Sequence, residues 1–144
     1  MKNRSRARAW ALQALYAWEQ RGAAAERGMP VLQDLFASLR VSPANRPYAE
    51  VLVRLVGQNV EKIDRTITES LTNWRLERLA VVDRAILRLG TAEMMFVDDV
   101  PPRMCIREMV QLAEKYGTAD SPRFVNGVLD AVMRRVAPGE ATGA

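Results

Sequence analysis

The chain has 144 residues, 49% hydrophobic and 26% charged, the balance of an ordinary globular protein of about one domain rather than a disordered or membrane-spanning chain. A chain of this size can remove roughly 68–70% of its unfolded surface from water, so a core needs neither disulfide nor metal. With one cysteine, Cys105, and no histidine, thiol-pair oxidoreductases, histidine-based triads and the usual zinc sites are excluded.

The chain opens with Lys2, Arg4, Arg6 and Arg8 and no acid among its first ten residues, and the remainder is balanced at 17 bases against 17 acids. The whole excess of +4 therefore sits in an N-terminal arm that can condense on a polyanion and release its counterions. Eighteen of the 21 bases are arginine, which grips phosphate with a two-pronged fork and stacks on bases. A merely solubilising tail is the competing reading. No apolar signal core follows, and no stretch approaches about 18 apolar residues, so the expectation is a cytoplasmic protein without membrane contact.

From Arg4 to Gln20 the residues Ala7, Trp10, Ala11, Ala14, Leu15 and Trp18 repeat at helical spacing and predict one buried stripe. Leu12 and Tyr16, four apart beside it, form a second apolar strip that packs internally or meets another protein. Gly22 to Gly28 reads as a loop, and Val31 to Leu39 as a short helix. Ser42-Pro43 then opens a longer helix, ending near Leu71, in which Leu52, Val56, Val60, Ile63 and Ile67 recur at steps of three and four.

Trp74 and Leu76 belong to a connector. Leu79, Val82, Ile86 and Leu89 trace the next helix, whose stripe is broken by Glu93 and which the run Asp98-Asp99-Val100-Pro101-Pro102 stops, since proline lacks the helical donor and restricts its predecessor. Ile106, Met109, Val110 and Ala113 form another helix, with Gly117 expected as its left-handed cap. Ser121 as N-cap and Pro122 as first helical residue start the last one, with Asp120 beside them and Val125, Val128, Leu129, Val132 and Val136 as its buried face. No segment alternates with period two, so the fold class is all-α with about six or seven helices: one domain over 1–136 and a frayed tail over 137–144.

Phosphate-cradling loops of the G-x-x-x-x-G-K-[ST] or G-x-G-x-x-G type are absent, as are paired metal-ligand spacings. No catalysis, cofactor or metal is therefore expected, and Cys105 reads as a packing residue. What remains is contact chemistry. Arg84 and Arg88, four apart, present two cations in a row or pair with nearby acids. Arg123 and Phe124 open the final helix, where backbone amides can meet phosphate and an aromatic ring can stack on an unpaired base.

The runs Asp83-Arg84-Ala85-Ile86-Leu87-Arg88-Leu89, Glu108 through Lys115-Tyr116-Gly117, and Arg123-Phe124-Val125-Asn126-Gly127-Val128-Leu129-Asp130 resemble the NusB family of bacterial transcription antitermination factors. Ala11-Leu12-Gln13-Ala14-Leu15-Tyr16 extends the resemblance to nearly the whole chain, leaving Gly22 to about Ala49 unmatched in detail. Arg107, where the family usually carries Asn, and Pro122 depart from its pattern. The resemblance implies two small helical bundles and a non-catalytic adapter that binds boxA-type single-stranded RNA of ribosomal RNA transcripts together with the ribosomal protein NusE. Further elongation factors and RNA polymerase join indirectly.

Position by position, it implies an RNA side made of Lys2, Arg4, Arg6, Arg8, Arg88, Asp120, Phe124 and Asn126, with Arg84 and Arg123 added. A NusE side is carried by Tyr16 and Asp83, with Leu12 from the apolar strip. A monomer and a homodimer both stay open. Two alternatives stand beside this reading: a helical regulator that binds protein alone, and a stand-alone relative of the N-terminal module of RNA cytosine methyltransferases.

Overall fold

The computed structural model describes residues 2–20, 33–34 and 36–139, and among these every regular element is helical. The elements are α1 (Lys2–Gln20), α2 (Arg46–Gln58), α3 (Val60–Ser70), a 3-10 turn (Leu76–Arg78), α4 (Val81–Phe96), α5 (Pro102–Tyr116) and α6 (Ser121–Val136). The expected loop from Gly22 to Gly28 lies outside the described residues, as do parts of the expected helix from Val31 to Leu39. Gln33, Asp34 and residues 36–38 of that helix are helical. Most of the expected frayed tail also lies outside them; Ala137 is half-buried.

Helix α4 organises the molecule. It packs against each of the other five helices, and residues 85 to 93 are buried without interruption. A helix apolar all round belongs in a core, yet this one carries Arg88, Thr91 and Glu93 at no more than 5% exposure, so its charges need partners inside the protein. Helices α1 and α2 pair on one side of α4, while α5 and α6 pair on another and α3 lies against α6. The buried side chains form one continuous cluster. Gly90 sits where α4 meets α5 and α6: a Cβ there would come within 2.8 Å of Met109 Cγ and 3.0 Å of Leu129 Cδ1.

Several local expectations are corrected. The long helix expected from Ser42 to Leu71 is two helices hinged at Asn59, whose φ of −127° leaves helical space and whose side-chain amide donates to the Leu55 carbonyl at 2.8 Å. An asparagine side chain that competes for backbone partners breaks a helix without disturbing the apolar repeat on either side. Ser42 to Asn45 form a turn ahead of α2. Gly117 is extended, at φ −95° and ψ −165°, rather than left-handed. Glycine is needed there for space, because a Cβ would lie 2.5 Å from the Ser121 side chain and 2.9 Å from the Ala113 carbonyl. Ser121 is the first residue of α6 and not its cap: its hydroxyl accepts the Thr118 N–H at 3.0 Å, and Asp120 holds the cap position.

Candidate nucleic-acid and partner interface

The basic arm is not a tail. It is the first two turns of α1, and helical periodicity divides its cations between faces. Arg4 and Arg8, four apart, point at the body of the protein. Arg4 donates to both carboxylate oxygens of Asp99 at 3.2 and 3.1 Å and lies 4.3 Å over the Tyr48 ring. Its bonds hold the Asp99 carboxyl below the usual carboxylate range. Arg8 is 1% exposed. It donates through Nε to Glu93 at 2.8 and 3.0 Å and through NH1 to Glu108 at 3.1 Å, while the Tyr48 hydroxyl also donates to Glu93. Burial and the hydrogen bond to Glu93 push the Tyr48 phenol well up. Arg6 faces solvent; the side chain of Lys2 lies outside the described residues. The expectation that Arg8 contacts RNA is therefore corrected, since its guanidinium is spent inside the core on an acid with no access to water.

A second charged cluster removes two more cations from the surface. Arg88, 5% exposed, grips Asp64 with two bonds of 2.8 and 2.9 Å and also pairs with Glu19 of α1. Arg84 pairs with the same Glu19 and donates to the carbonyls of Leu76, Glu77 and Leu79 at 3.2–3.3 Å. Burial pushes the Asp64 carboxyl up to about 7, against the opposing charge of Arg84. The two arginines do not form a row of free cations. Arg84 instead ties down the 3-10 connector between α3 and α4.

That connector builds a groove. Trp74, 60% exposed, meets the half-buried Phe124 of α6 edge to face, with ring centroids 5.9 Å apart and planes at 72°. The groove they line, about 790 Å³, also takes in Asp83, Asp120 and Arg123 from the sequence-predicted set. Arg78, Ala80 and Gly127 are also among its lining residues. Asn126, expected beside Phe124, points elsewhere: it lines a separate groove between α5 and α6 with Arg103, Arg107 and Asp130. Two residues along a helix are about 200° around it, so Asn126 falls on nearly the opposite face from Phe124.

A second groove of about 690 Å³ runs along α1. Leu12 and Tyr16 of α1, Val81 and Val82 of α4 and Tyr116 of α5 line it. Tyr16 is 40% exposed and Tyr116 46%, while Leu12 is buried at the base. Asp83, grouped with Tyr16 by sequence, lines the Trp74–Phe124 groove instead. Both grooves include Ala80, the residue before α4, so they adjoin. Sequence reasoning missed Trp74, Arg78 and Gly127 as site residues. The available signal was Trp74 itself, a large ring in a connector with no apolar stripe to join.

Cys105 is fully buried, its thiol donating to the Gly90 carbonyl at 3.3 Å, and burial pushes its pKa well up, which suits packing and not nucleophilic attack. Among the described residues no group of three or more acids or cysteines is placed to hold a metal, and no helix is long and apolar enough to cross a membrane.

The NusB family model matches residues 5–134. The transcription antitermination protein NusB of Desulfosudis oleivorans is 36% identical over 141 residues, spanning 98% of this chain and 92% of the relative. Among solved structures, T. maritima NusB aligns with a TM-score of 0.78 at 33% identity, covering 98% of this chain and 97% of that one. A structure of the antitermination factors NusB and NusE in complex with dsRNA aligns with a TM-score of 0.76 at 32% identity, covering 94% of this chain and 98% of that one.

Proposed function

The chain belongs to the NusB family, and from that membership we propose that it is a non-catalytic adapter in transcription antitermination, binding boxA-type single-stranded RNA and the ribosomal protein NusE on neighbouring surfaces. The observation that carries this reading is the adjacency of two chemically different grooves at Ala80. The groove along α1 is walled by aliphatic side chains and two exposed tyrosines, the composition of a protein-binding surface. The groove at Trp74 and Phe124 offers rings for stacking, Arg78 and Arg123 for phosphates, and Asp83 and Asp120 as acceptors for base edges. Unpaired RNA is read by this combination of stacking, charge and edge hydrogen bonds. A similar NusB has been seen together with NusE in complex with dsRNA.

Neighbouring sites make the two partners mutually supportive. RNA that lies across the shared rim touches both proteins, so NusE raises RNA affinity by the same factor as RNA raises NusE affinity. One observation favours the alternative of a regulator that binds protein alone: Arg4, Arg8, Arg84 and Arg88 are all committed to acids within the fold.

Fluorescence anisotropy decides between them, using a boxA-type single strand, a scrambled strand and a duplex across a salt series, with and without NusE. The adapter predicts preference for the boxA strand, strengthened by NusE. Equal, weak and steeply salt-dependent binding to all three RNAs, indifferent to NusE, overturns it.

A further inference from the structure

The four arginines paired with acids inside the fold are not equally committed. Arg8 with Glu93, Arg84 with Glu19 and Arg88 with Asp64 hold acids that are buried or mostly buried, and an acid left there without its partner strands a charge away from water. Arg4 differs. Its partner Asp99 is 69% exposed and Arg4 itself 35%, so a carboxylate that Arg4 leaves is taken up by water at little cost. Asp99 sits in the turn between α4 and α5, where buried Val100 and the Pro101-Pro102 pair that follows fix the chain whether or not Arg4 is bound.

Arg4 is also shaped as a receptor. Its guanidinium lies 4.3 Å over the Tyr48 ring, and the Tyr48 hydroxyl donates to buried Glu93, so ring and cation are held in place. Two N–H groups are then directed at the two Asp99 oxygens, 3.2 and 3.1 Å away. That two-pronged geometry suits a phosphate as well as a carboxylate. We propose that Asp99 is an internal competitor for this site: it occupies Arg4 as a phosphate mimic, and a phosphodiester of bound RNA displaces it. The proposal rests on the RNA-binding reading and adds to it an autoinhibitory acid, placed at the opposite end of α4 from the Trp74–Phe124 groove. The whole positive excess of the chain lies in this arm, and the acid keeps Arg4 from gripping any polyanion it meets. A strand already held in the groove presents its phosphates at high local concentration and wins the exchange.

Exchange has a signature in salt. When a phosphate takes Arg4 from Asp99, the counterion released from RNA is offset by one that the uncovered carboxylate gathers, so the contact adds nothing to the salt slope. In Asp99→Asn the offset is gone, and the slope for a single strand should steepen by about 0.7. Affinity should rise about 2- to 5-fold, the worth of an exposed ion pair that no longer competes. A backbone contact carries no sequence information, so the gain should be equal for a boxA-type strand and a scrambled one. Arg4→Gln added to Asp99→Asn should erase it.

Anisotropy titrations of the full chain with both strands across salt make the test. Asp98→Asn is the control, since it removes the same charge one residue away and leaves Arg4 on Asp99. It should raise affinity less and leave the slope unchanged. The melting temperature of Asp99→Asn should stay within about 4 °C of the wild type, because only an exposed pair is lost. Equal gains in Asp98→Asn and Asp99→Asn with no change of slope would make Asp99 one more negative charge and refute the proposal. A gain confined to the boxA-type strand, or weaker binding in Asp99→Asn, refutes it as well. If the wild-type protein binds neither strand, the RNA-binding reading fails and the proposal with it; binding that Asp99→Asn leaves unaltered refutes the proposal alone.

Discussion

Replacing Arg8 separates a structural cation from an RNA contact. In Arg8→Met, Glu93 loses its cationic partner while keeping the Tyr48 hydroxyl, and its carboxylate stays fully buried opposite an apolar side chain. Removing one partner of a buried pair costs about 3–5 kcal/mol, because the remaining charge is stranded. For a domain of this length each kcal/mol moves the melting point by roughly 2–4 °C, so thermal unfolding should fall by on the order of 10 °C. The paired variant Arg8→Met with Glu93→Leu removes both charges. It should recover most of the loss, since a packed apolar pair of similar volume often matches a buried ion pair, while Glu108 retains its bond from Ser5 at 2.6 Å. Calorimetry on the three proteins, followed by RNA titration of the stable double variant across salt, completes the test. A structural Arg8 leaves the salt slope untouched. A slope smaller by about 0.7, the share of one phosphate contact on a single strand, together with an unperturbed melting point in Arg8→Met, would refute the reasoning.

Other expectations follow from the same geometry. Gly117→Ala should destabilise more than Gly90→Ala in chemical denaturation, since the new methyl at 117 meets a backbone carbonyl while at 90 it meets Met109 and Leu129 side chains able to shift; about 1–3 kcal/mol is expected for the latter, and the reverse order would contradict it. Arg4→Gln should return the Asp99 carboxyl to its ordinary range in an NMR titration. Because Asp99 is held low in the folded protein, its stabilising contribution is present above the ordinary carboxylate pKa and is lost as pH falls through the folded value; Arg4→Gln should therefore flatten the acid limb of the stability curve. Asp120→Asn should tighten RNA binding, because it removes a negative charge from the groove that Arg123 also lines while the amide oxygen still accepts from a base edge; weaker binding with intact α6 helicity would contradict it.

Helices were legible wherever a single apolar stripe was undisturbed, as in α1, α5 and α6, and so were the proline stop after α4 and the start of α6 within a residue. The hinge at Asn59 was not, because an apolar repeat continues in step through a one-residue break. Polar burial was the larger loss. Glu93 read as an interruption in the stripe of α4, and Arg8 as one of four equivalent cations, while the structure makes them partners 85 residues apart. Sequence spacing carries information about neighbours along a helix, and none about which charge another helix will bring.

The same limit explains why the candidate site was found in part. Asp120, Arg123 and Phe124 share the start of one helix, so local reasoning sufficed for them, whereas Trp74 reaches them only because the connector is folded back onto α6. What keeps it there is Arg84, which donates to the carbonyls of Leu76 and Glu77 within the 3-10 turn and of Leu79 just after it while its charge is balanced by Glu19. Arg84, which looked suited to RNA, is thus the arginine that shapes the groove, and under the proposed function the lining cations Arg78 and Arg123 are the ones that meet phosphate. Changing Arg84 should accordingly weaken RNA and loosen the connector together, whereas changing Arg123 should weaken RNA with the fold unmoved. That difference, read by hydrogen exchange at residues 74–80, distinguishes a cation that positions the surface from one that is the surface.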